Sequence, residues 1–234
     1  PYQAISPAGD PRLPLVDLTG LEDADAEVER LTVEEAEQGF DLRIGPLARF
    51  RLIRVGDGRH HLLCTLHHIV ADGWSIHLLM RELSVISTAF TAGEPSPLPE
   101  LPVQYADFAI WQRERLRGRA LEEELAWWRR ELEGVPTLLD LPSDRPRPVA
   151  RTTRGGTVSF ALPARVYPAL HALCRGAEAT PFMVTLAAFQ ALLHLMTGVE
   201  DLLLGVPVAG RTQSELEGLI GLFVNTVPLR GRPT

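Results

Sequence analysis

The sequence predicts a layered α/β protein that is divided into two lobes. Strand and helix signals alternate on both sides of a segment with several prolines at residues 135–150. Because proline fixes φ and lacks a backbone N–H, this segment is not expected to be helical. We therefore expect a first lobe at residues 1–134, a linker at 135–150 and a second lobe at 151–234, each with helices packed on a sheet.

The first lobe is predicted to contain a β-hairpin between helices. Residues 22–38 are polar and rich in helix formers, which is typical of an exposed helix. Apolar residues alternate with arginines at 48–55, a Gly-Asp-Gly turn follows, and an apolar run at 60–70 completes a predicted hairpin. Helical spacing of apolar residues then predicts a helix over 74–90 and a long amphipathic stretch over 105–132.

The second lobe is predicted to contain two helices among strands. Residues 166–177 have helical spacing, and Thr180-Pro181 provides an N-cap followed by proline at the first helical position. The helix that opens there should run to about Thr197, with Gly198 at its end, and its nearly continuous apolar surface predicts burial. The predicted strands are 155–163, 201–210 and 221–230.

Composition and charge exclude several functional classes. The chain has 30 acidic and 23 basic residues, and this negative balance, without a stripe of basic and aromatic residues, argues against nucleic-acid binding. No signal peptide or membrane-spanning run is visible, and Cys64 and Cys174 lie in apolar segments, so we expect a cytoplasmic protein without disulfides. The first residue is not methionine, and both ends are expected to be cuts through a longer protein.

The histidines of the predicted hairpin do not predict a metal site. His60, His61, His67 and His68 fall within nine positions, but side chains alternate along a strand. The pairs that share a face would be roughly 20 Å or more apart at ~3.3 Å per residue, too far for one ion. No nucleotide-binding fingerprint is present either, so no bound cofactor is expected.

The segment from His67 to Gly73 is the best candidate for chemistry. A histidine pair at the end of a strand would point to opposite sides, so that one imidazole faces a cavity. Asp72, at the turn into a helix, is suited to cap that helix or to hold a fixed partner. An imidazole is suited to accept or share an amine proton near neutral pH. The residues alone leave open the alternative that both histidines are structural and Asp72 only caps.

Three ordered segments resemble a known family. Residues 67–75, HHIVADGWS, resemble the HHxxxDG signature of nonribosomal peptide synthetase condensation domains and of related acyltransferases with the chloramphenicol-acetyltransferase-like two-lobe fold. Residues 105–111, YADFAIW, resemble the family's YxDFAxW motif, and residues 220–226, IGLFVNT, its IGxFVNT motif. The family's first motifs, including RHExLR, and its last motifs are absent, so the resemblance implies an incomplete fold, about half a domain, that is impaired in isolation.

The resemblance implies a role for each candidate residue. His68 would be the catalytic residue, in a tunnel between two lobes, where it positions or deprotonates the acceptor amine as the amine attacks the donor thioester. His67 would support the site, and Asp72 would be structural, paired with Arg211. Gly73 would bring its backbone N–H close to the reacting carbonyl, where a side chain would obstruct. The candidates for lining the tunnel are Trp74, Ser75 and Asn225.

The resemblance also implies partners and alternatives. No cofactor would bind directly; upstream donor and downstream acceptor peptidyl carrier proteins would bring phosphopantetheine arms, and an adenylation domain would be a neighbour. Trp74-Ser75 and the IGLFVNT segment favour condensation over epimerisation. A heterocyclisation domain would have aspartates in place of the histidine pair. A free-standing acyltransferase that acts on alcohols, and a noncatalytic recruiting domain with the same fold, stay as alternatives.

Overall fold

A computed structural model describes residues 3–5, 13–146, 150 and 155–233. The strands are β1 (Leu15–Asp17), β2 (Ala48–Gly56), β3 (Arg59–Leu66), β4 (Leu202–Val208) and β5 (Asn225–Gly231). The helices are α1 (Ala24–Glu37), α2 (Gly73–Thr91), α3 (Tyr105–Arg115), α4 (Gly118–Glu131), α5 (Val166–Gly176) and α6 (Pro181–Thr197), with a 3-10 turn at Ser214–Leu216. The mixture of helices and sheets confirms the predicted α/β class.

The chain forms two compact units that are not continuous in sequence. The first unit comprises residues 1–111 and 209–224, and the second comprises residues 112–208 and 225–234. The predicted linker at 135–150 lies in the second unit and falls partly outside the described residues. The lobe boundaries at residues 134 and 151 stay a prediction.

The sheet of the first unit contains the predicted hairpin. β1 pairs with β2 in parallel, and β2 pairs with β3 as the predicted antiparallel hairpin. Ile53 and Val55 point to the same face of β2 and form a buried cluster with Leu31 of α1. Since strand side chains alternate, Arg49 and Arg51 share this face and pair with Glu35 of α1, whereas Arg54 lies on the other face.

The strand predicted at 60–70 is shorter than expected. Pairing between β2 and β3 ends where Ala48 faces Leu66. One further hydrogen bond joins the His67 N–H to the Leu47 carbonyl at 2.9 Å, after which the chain turns. His67 and His68 therefore lie in a turn, and strand alternation does not set their directions.

The predicted helix over 74–90 is confirmed as α2, whereas the stretch over 105–132 is two helices. Arg117 is extended, with φ −134° and ψ 158°, and separates α3 from α4. A second buried cluster of the first unit joins Phe108 of α3 to Leu216, Leu219 and Phe223. The segment 209–224 is thus anchored in the first unit by apolar contacts.

In the second unit, β4 and β5 are antiparallel, and the caps of α6 are confirmed. The Thr180 hydroxyl accepts the Met183 N–H at 3.2 Å, and Gly198 ends the helix at φ 71°. The predicted burial of α6 is wrong, because α5 packs on only part of it; Leu193 is buried, whereas Leu195 is exposed.

Two strand predictions of this unit are also wrong. The described residues from 155 to 163 have no paired neighbour and form no strand. The last strand begins at Asn225, not at residue 221. Among the residues described, no single helix is long and apolar enough to cross a membrane; α5 and α6 pass that test only as a pair, bent by 104°.

Candidate active site

The turn between β3 and α2 is closed by hydrogen bonds of its own residues. The Val70 N–H donates to the His67 carbonyl at 3.0 Å. The Ile69 N–H donates to Nδ1 of the His67 ring, also at 3.0 Å. Asp72 then caps α2, since its carboxylate accepts the Ser75 N–H at 2.9 Å. The turn is therefore fixed at both of its ends.

The two neighbouring imidazoles have different environments. Nδ1 of His67 is an acceptor, and its ring packs edge-on against Phe40 at 5.7 Å between ring centroids. Nδ1 of His68 lies 2.8 Å from the Ala71 carbonyl oxygen, which can only accept, so this nitrogen carries a proton. In the neutral ring of His68 the lone pair is consequently on Nε2.

Of the two neighbouring histidines of the turn, His68 is the one whose Nε2 lone pair is free. Its side chain is exposed, and no residue in the described part of the chain hydrogen-bonds to its Nε2. If the His68 ring were enclosed within its own unit, there would be no room for a substrate beside it. An exposed imidazole with a fixed tautomer and a free Nε2 can accept a proton from an amine.

Asp72 lies at the centre of a buried polar network. It is 3% exposed, and its Oδ1 accepts the Ser75 N–H and lies 2.8 Å from the Ser75 hydroxyl. Its Oδ2 accepts the backbone N–H groups of Phe223 and Val224 at 2.9 and 3.2 Å. Through these bonds one carboxylate connects the start of α2 to the segment 209–224.

The hydrogen bonds to Asp72 decide its ionisation. Burial acts to raise the pKa of this carboxyl, but the backbone N–H groups of Ser75 and Phe223, the Ser75 hydroxyl and the Arg211 charge together lower the pKa from 3.8 to about 2. Asp72 is therefore a carboxylate at neutral pH, with its acceptor positions occupied. It is suited to hold structure and not to exchange protons with a substrate.

Arg211 is the cation of this network, and the structure brings it to Asp72. Its side chain is 1% exposed, and its Nη2 lies 3.4 Å from Asp72 and 2.9 Å from the Ser75 hydroxyl. Its Nη1 donates to the Leu216 and Leu219 carbonyls, and its Cζ lies 3.9 Å from the centre of the Phe223 ring. Burial lowers the pKa of Arg211 more than the charge of Asp72 raises it.

Ser75 belongs to this network and not to an open surface. Its side chain is 0% exposed, and its hydroxyl lies within 3.0 Å of Asp72, Arg211 and the N–H and carbonyl of Gly221. The prediction that Ser75 lines a tunnel is corrected, because the hydroxyl is surrounded by protein groups. No local pattern indicates this burial, since the contact with Gly221 spans 146 residues of sequence.

Two glycines allow the segment 209–224 to approach so closely. A Cβ on Gly210, which has φ +69°, would collide with the Phe223 carbonyl oxygen. A Cβ on Gly221 would collide with the Tyr105 ring. The Tyr105 hydroxyl donates to the Leu222 carbonyl at 2.8 Å. The motifs at 105–111 and 220–226 therefore contact each other through Tyr105.

The remaining candidate site residues, Gly73, Trp74 and Asn225, each have a different environment. Gly73 is the first residue of α2, and a Cβ there would meet no atom within 4 Å. The Trp74 indole N–H donates to the Glu217 carbonyl at 3.0 Å, and the ring is partly exposed. Asn225 belongs to the second unit, where it begins β5 and its Oδ1 accepts the Thr226 N–H.

The low pKa of Asp72 predicts a loss of stability in acid. Because this pKa is about 2 in the folded protein against 3.8 ordinarily, its contribution is present above about pH 4 and is lost as the pH falls towards 2. The difference corresponds to about 2 kcal/mol. Urea denaturation of wild type and Asp72→Asn should show a stability gap that shrinks by this amount in acid. A gap independent of pH would contradict the assignment.

The comparisons identify the class of protein that this fold and turn belong to. The sequence profile of the family described as "Condensation domain" matches residues 1–234. The chain is 46% identical over 229 residues to one of the linear gramicidin synthase proteins of Brevibacillus parabrevis, covering 95% of this chain and 3% of that protein. The chain belongs to the condensation domain family of nonribosomal peptide synthetases.

Solved structures agree with the fold. The complex of the X-domain and OxyB from teicoplanin biosynthesis matches with a TM-score of 0.87 at 31% identity, covering 99% of this chain and 51% of that chain. The first condensation domain of the CDA synthetase matches with a TM-score of 0.71 at 25% identity, covering 96% of this chain and 49% of that chain. The chain thus spans about half of each matched structure.

Proposed function

We propose that this chain supplies the histidine turn of a condensation domain that forms an amide bond. The acceptor amine nitrogen attacks the carbonyl carbon of the donor thioester, the new C–N bond forms, and the C–S bond breaks to release a thiol. The amine gives up one proton, and Nε2 of His68 is the group that accepts or orients it. The observation that carries the proposal is the His68–Ala71 hydrogen bond, which leaves Nε2 free on an exposed ring.

Gly73 is proposed to act beside His68. It is the first residue of α2, and open space surrounds the position that its Cβ would occupy. Packing therefore does not require a glycine here. The proposal that a backbone N–H of this residue approaches the reacting carbonyl supplies a reason for it, because a side chain would fill the space that a substrate needs.

The partners follow from the family. The gramicidin synthase relative is much longer than this chain. We infer that donor and acceptor groups arrive on phosphopantetheine arms of upstream and downstream carrier proteins, and that an adenylation domain is a neighbour. A cytoplasmic location, predicted from the sequence, belongs to the same proposal. None of these roles needs a cofactor held by the residues of this chain.

A second candidate function is binding of a partner enzyme without catalysis. The match to the X-domain, which was solved in complex with OxyB, favours this candidate. Against it, the His68 turn retains a free imidazole nitrogen and an unobstructed Gly73. A domain that only binds a partner has no need for either.

A product assay on the full-length protein separates these candidates. Carrier proteins loaded with a donor acyl group and with an aminoacyl acceptor should yield an amide on the acceptor carrier, detected by mass spectrometry of the released product. A matched acceptor with a hydroxyl in place of the amine should react far less. An ester as the main product would indicate an acyltransferase for alcohols, inversion of the donor an epimerase, and no product a partner-binding domain.

A further inference from the structure

The His67 ring is one end of a row of contacts that the reaction itself does not use. Phe40, in the loop after α1, packs edge-on against His67 at 5.7 Å between ring centroids. On the Phe40 ring lies the Arg49 guanidinium, whose Cζ is 3.9 Å from the ring centre. Phe40 therefore lies between a fixed cation and the histidine turn. A guanidinium over an aromatic face is attractive and restricts the ring.

Arg49 is itself held from several directions. Its Nε donates to the Glu35 carboxylate at 2.5 Å. Its other nitrogens donate to the backbone carbonyls of Glu35, Gln38 and Gly39 at 3.1, 2.8 and 3.2 Å. These carbonyls belong to the C-terminal end of α1 and the residues after it, where backbone acceptors lack helical partners. The guanidinium thus binds the helix end and the Phe40 ring together.

A second arginine provides a natural comparison. Glu35, which is buried, also pairs with Arg51 at 3.3 Å. Arg49 and Arg51 lie on the same face of β2, because they are two residues apart in a strand. In the part of the chain that the structure describes, the cation on the Phe40 ring comes from Arg49. Both arginines pair with Glu35, but the contact with the Phe40 ring is made by Arg49. Variants of the two arginines therefore separate the effect of the ion pair from the effect of the ring contact.

We propose that Arg49 and Phe40 are positioning residues for the histidine turn. They fix the ring of His67. The ring Nδ1 accepts the Ile69 N–H, and the backbone carbonyl of His67 accepts the Val70 N–H. These bonds set the backbone on both sides of His68 and thereby the direction of its Nε2. The inference rests on the proposed function, since it takes His68 as the group that acts on the amine.

The register of the sheet shows that the backbone of His67 is held as well as its ring. The last pair of the hairpin, Ala48 and Leu66, places Arg49 next to the point where β3 ends. The His67 N–H donates to the Leu47 carbonyl at 2.9 Å. His67 is therefore held through its backbone by β2 and through its ring by Phe40. Removal of the ring contact should loosen the side chain without unpairing the strands.

The experiment measures the turn and the reaction separately in the full-length protein. Diethyl pyrocarbonate attacks the unprotonated nitrogen of an imidazole, and peptide fragmentation resolves the modification of His67 from that of His68. In wild type, His67 should react slowly because its Nδ1 lone pair accepts the Ile69 N–H. Phe40→Leu and Arg49→Lys should both speed this modification several-fold. They should also lower kcat about 10-fold, with the acceptor KM little changed.

Matched variants make the result decisive. Arg51→Lys keeps a cation near Glu35 and leaves the ring contact intact, so it should change neither measurement. Phe40→Tyr keeps the aromatic ring, so the rate of His67 modification and kcat should both stay at their wild-type values. Unchanged His67 modification in Phe40→Leu and Arg49→Lys, or an equal effect of Arg51→Lys, would overturn the inference. If Phe40→Leu does not fold, Arg49→Lys decides.

The modification of His67 does not depend on turnover. A failure of the proposed function would appear as undiminished activity without His68. That result is distinguishable from a failure of this inference, which would appear as unchanged modification of His67 in Phe40→Leu and Arg49→Lys whether or not His68 is catalytic.

Discussion

Replacement of His68 with alanine is expected to slow amide formation by the full-length protein by about 10²- to 10⁴-fold. The magnitude is that of one positioned group that takes part in a proton transfer. The fold should be unaffected, because the imidazole is exposed and its single described bond goes to the Ala71 carbonyl, three residues along the same turn. Single-turnover measurement of amide formation, with both carriers loaded in advance, isolates this step.

His77 provides the matched control for this variant. Its Nδ1 lies 2.7 Å from the Gly73 carbonyl, and its side chain is exposed, so it has the same tautomer and a similar environment. It lies on α2, after the turn. His77→Ala should therefore form the amide at the wild-type rate. A His68→Ala protein that matched wild type would exclude the imidazole from the reaction.

Replacement of Arg211 with alanine is expected to lower the free energy of unfolding by about 3–5 kcal/mol. The change would leave the Asp72 carboxylate buried without its cation. It would also leave the Leu216 and Leu219 carbonyls without the donor that they now share. Because Arg211 joins the segment 209–224 to the start of α2, the loss should disorder both. Urea denaturation of the complete condensation domain measures the effect.

Arg232 offers a control at almost the same distance from an aspartate. Its Nε lies 3.5 Å from Asp201, against 3.4 Å for Arg211 and Asp72, but its side chain is 64% exposed against 1%. Exposed pairs of this kind contribute about 0–1 kcal/mol. Arg232→Ala should accordingly cost less than about 1 kcal/mol. Equal losses for the two variants would show that burial of the Asp72 pair is not what makes it important.

Local patterns predicted most elements of the fold, because those elements depend on neighbours in sequence. The alternation in β2 predicted the hairpin, and Thr180, Pro181 and Gly198 predicted both ends of α6. Elements that depend on distant partners were predicted less well. β3 ends at Leu66 because its partner strand begins at Ala48, and residues 155–163 form no strand without a paired neighbour among the described residues.

In the candidate site too, features set by neighbours in sequence were predictable, and features set by distant residues were not. The cap formed by Asp72 follows from its place before a helix, whereas its pairing with Arg211 was expected from the family resemblance alone. Burial of Ser75 could not be read locally, because it results from contact with Gly221 far along the chain. Gly221 itself carried a signal, since a glycine in an apolar segment often marks a close approach of another group.

The central claim is that Nε2 of His68, left free by the bond from Nδ1 to the Ala71 carbonyl, acts on the acceptor amine. Progressive treatment of the wild-type full-length protein with diethyl pyrocarbonate tests it most directly, with amide formation and site-resolved modification followed in the same samples. We predict that activity falls in proportion to modification of His68 and is independent of modification of His77. Full activity in protein whose His68 is completely modified would contradict the claim.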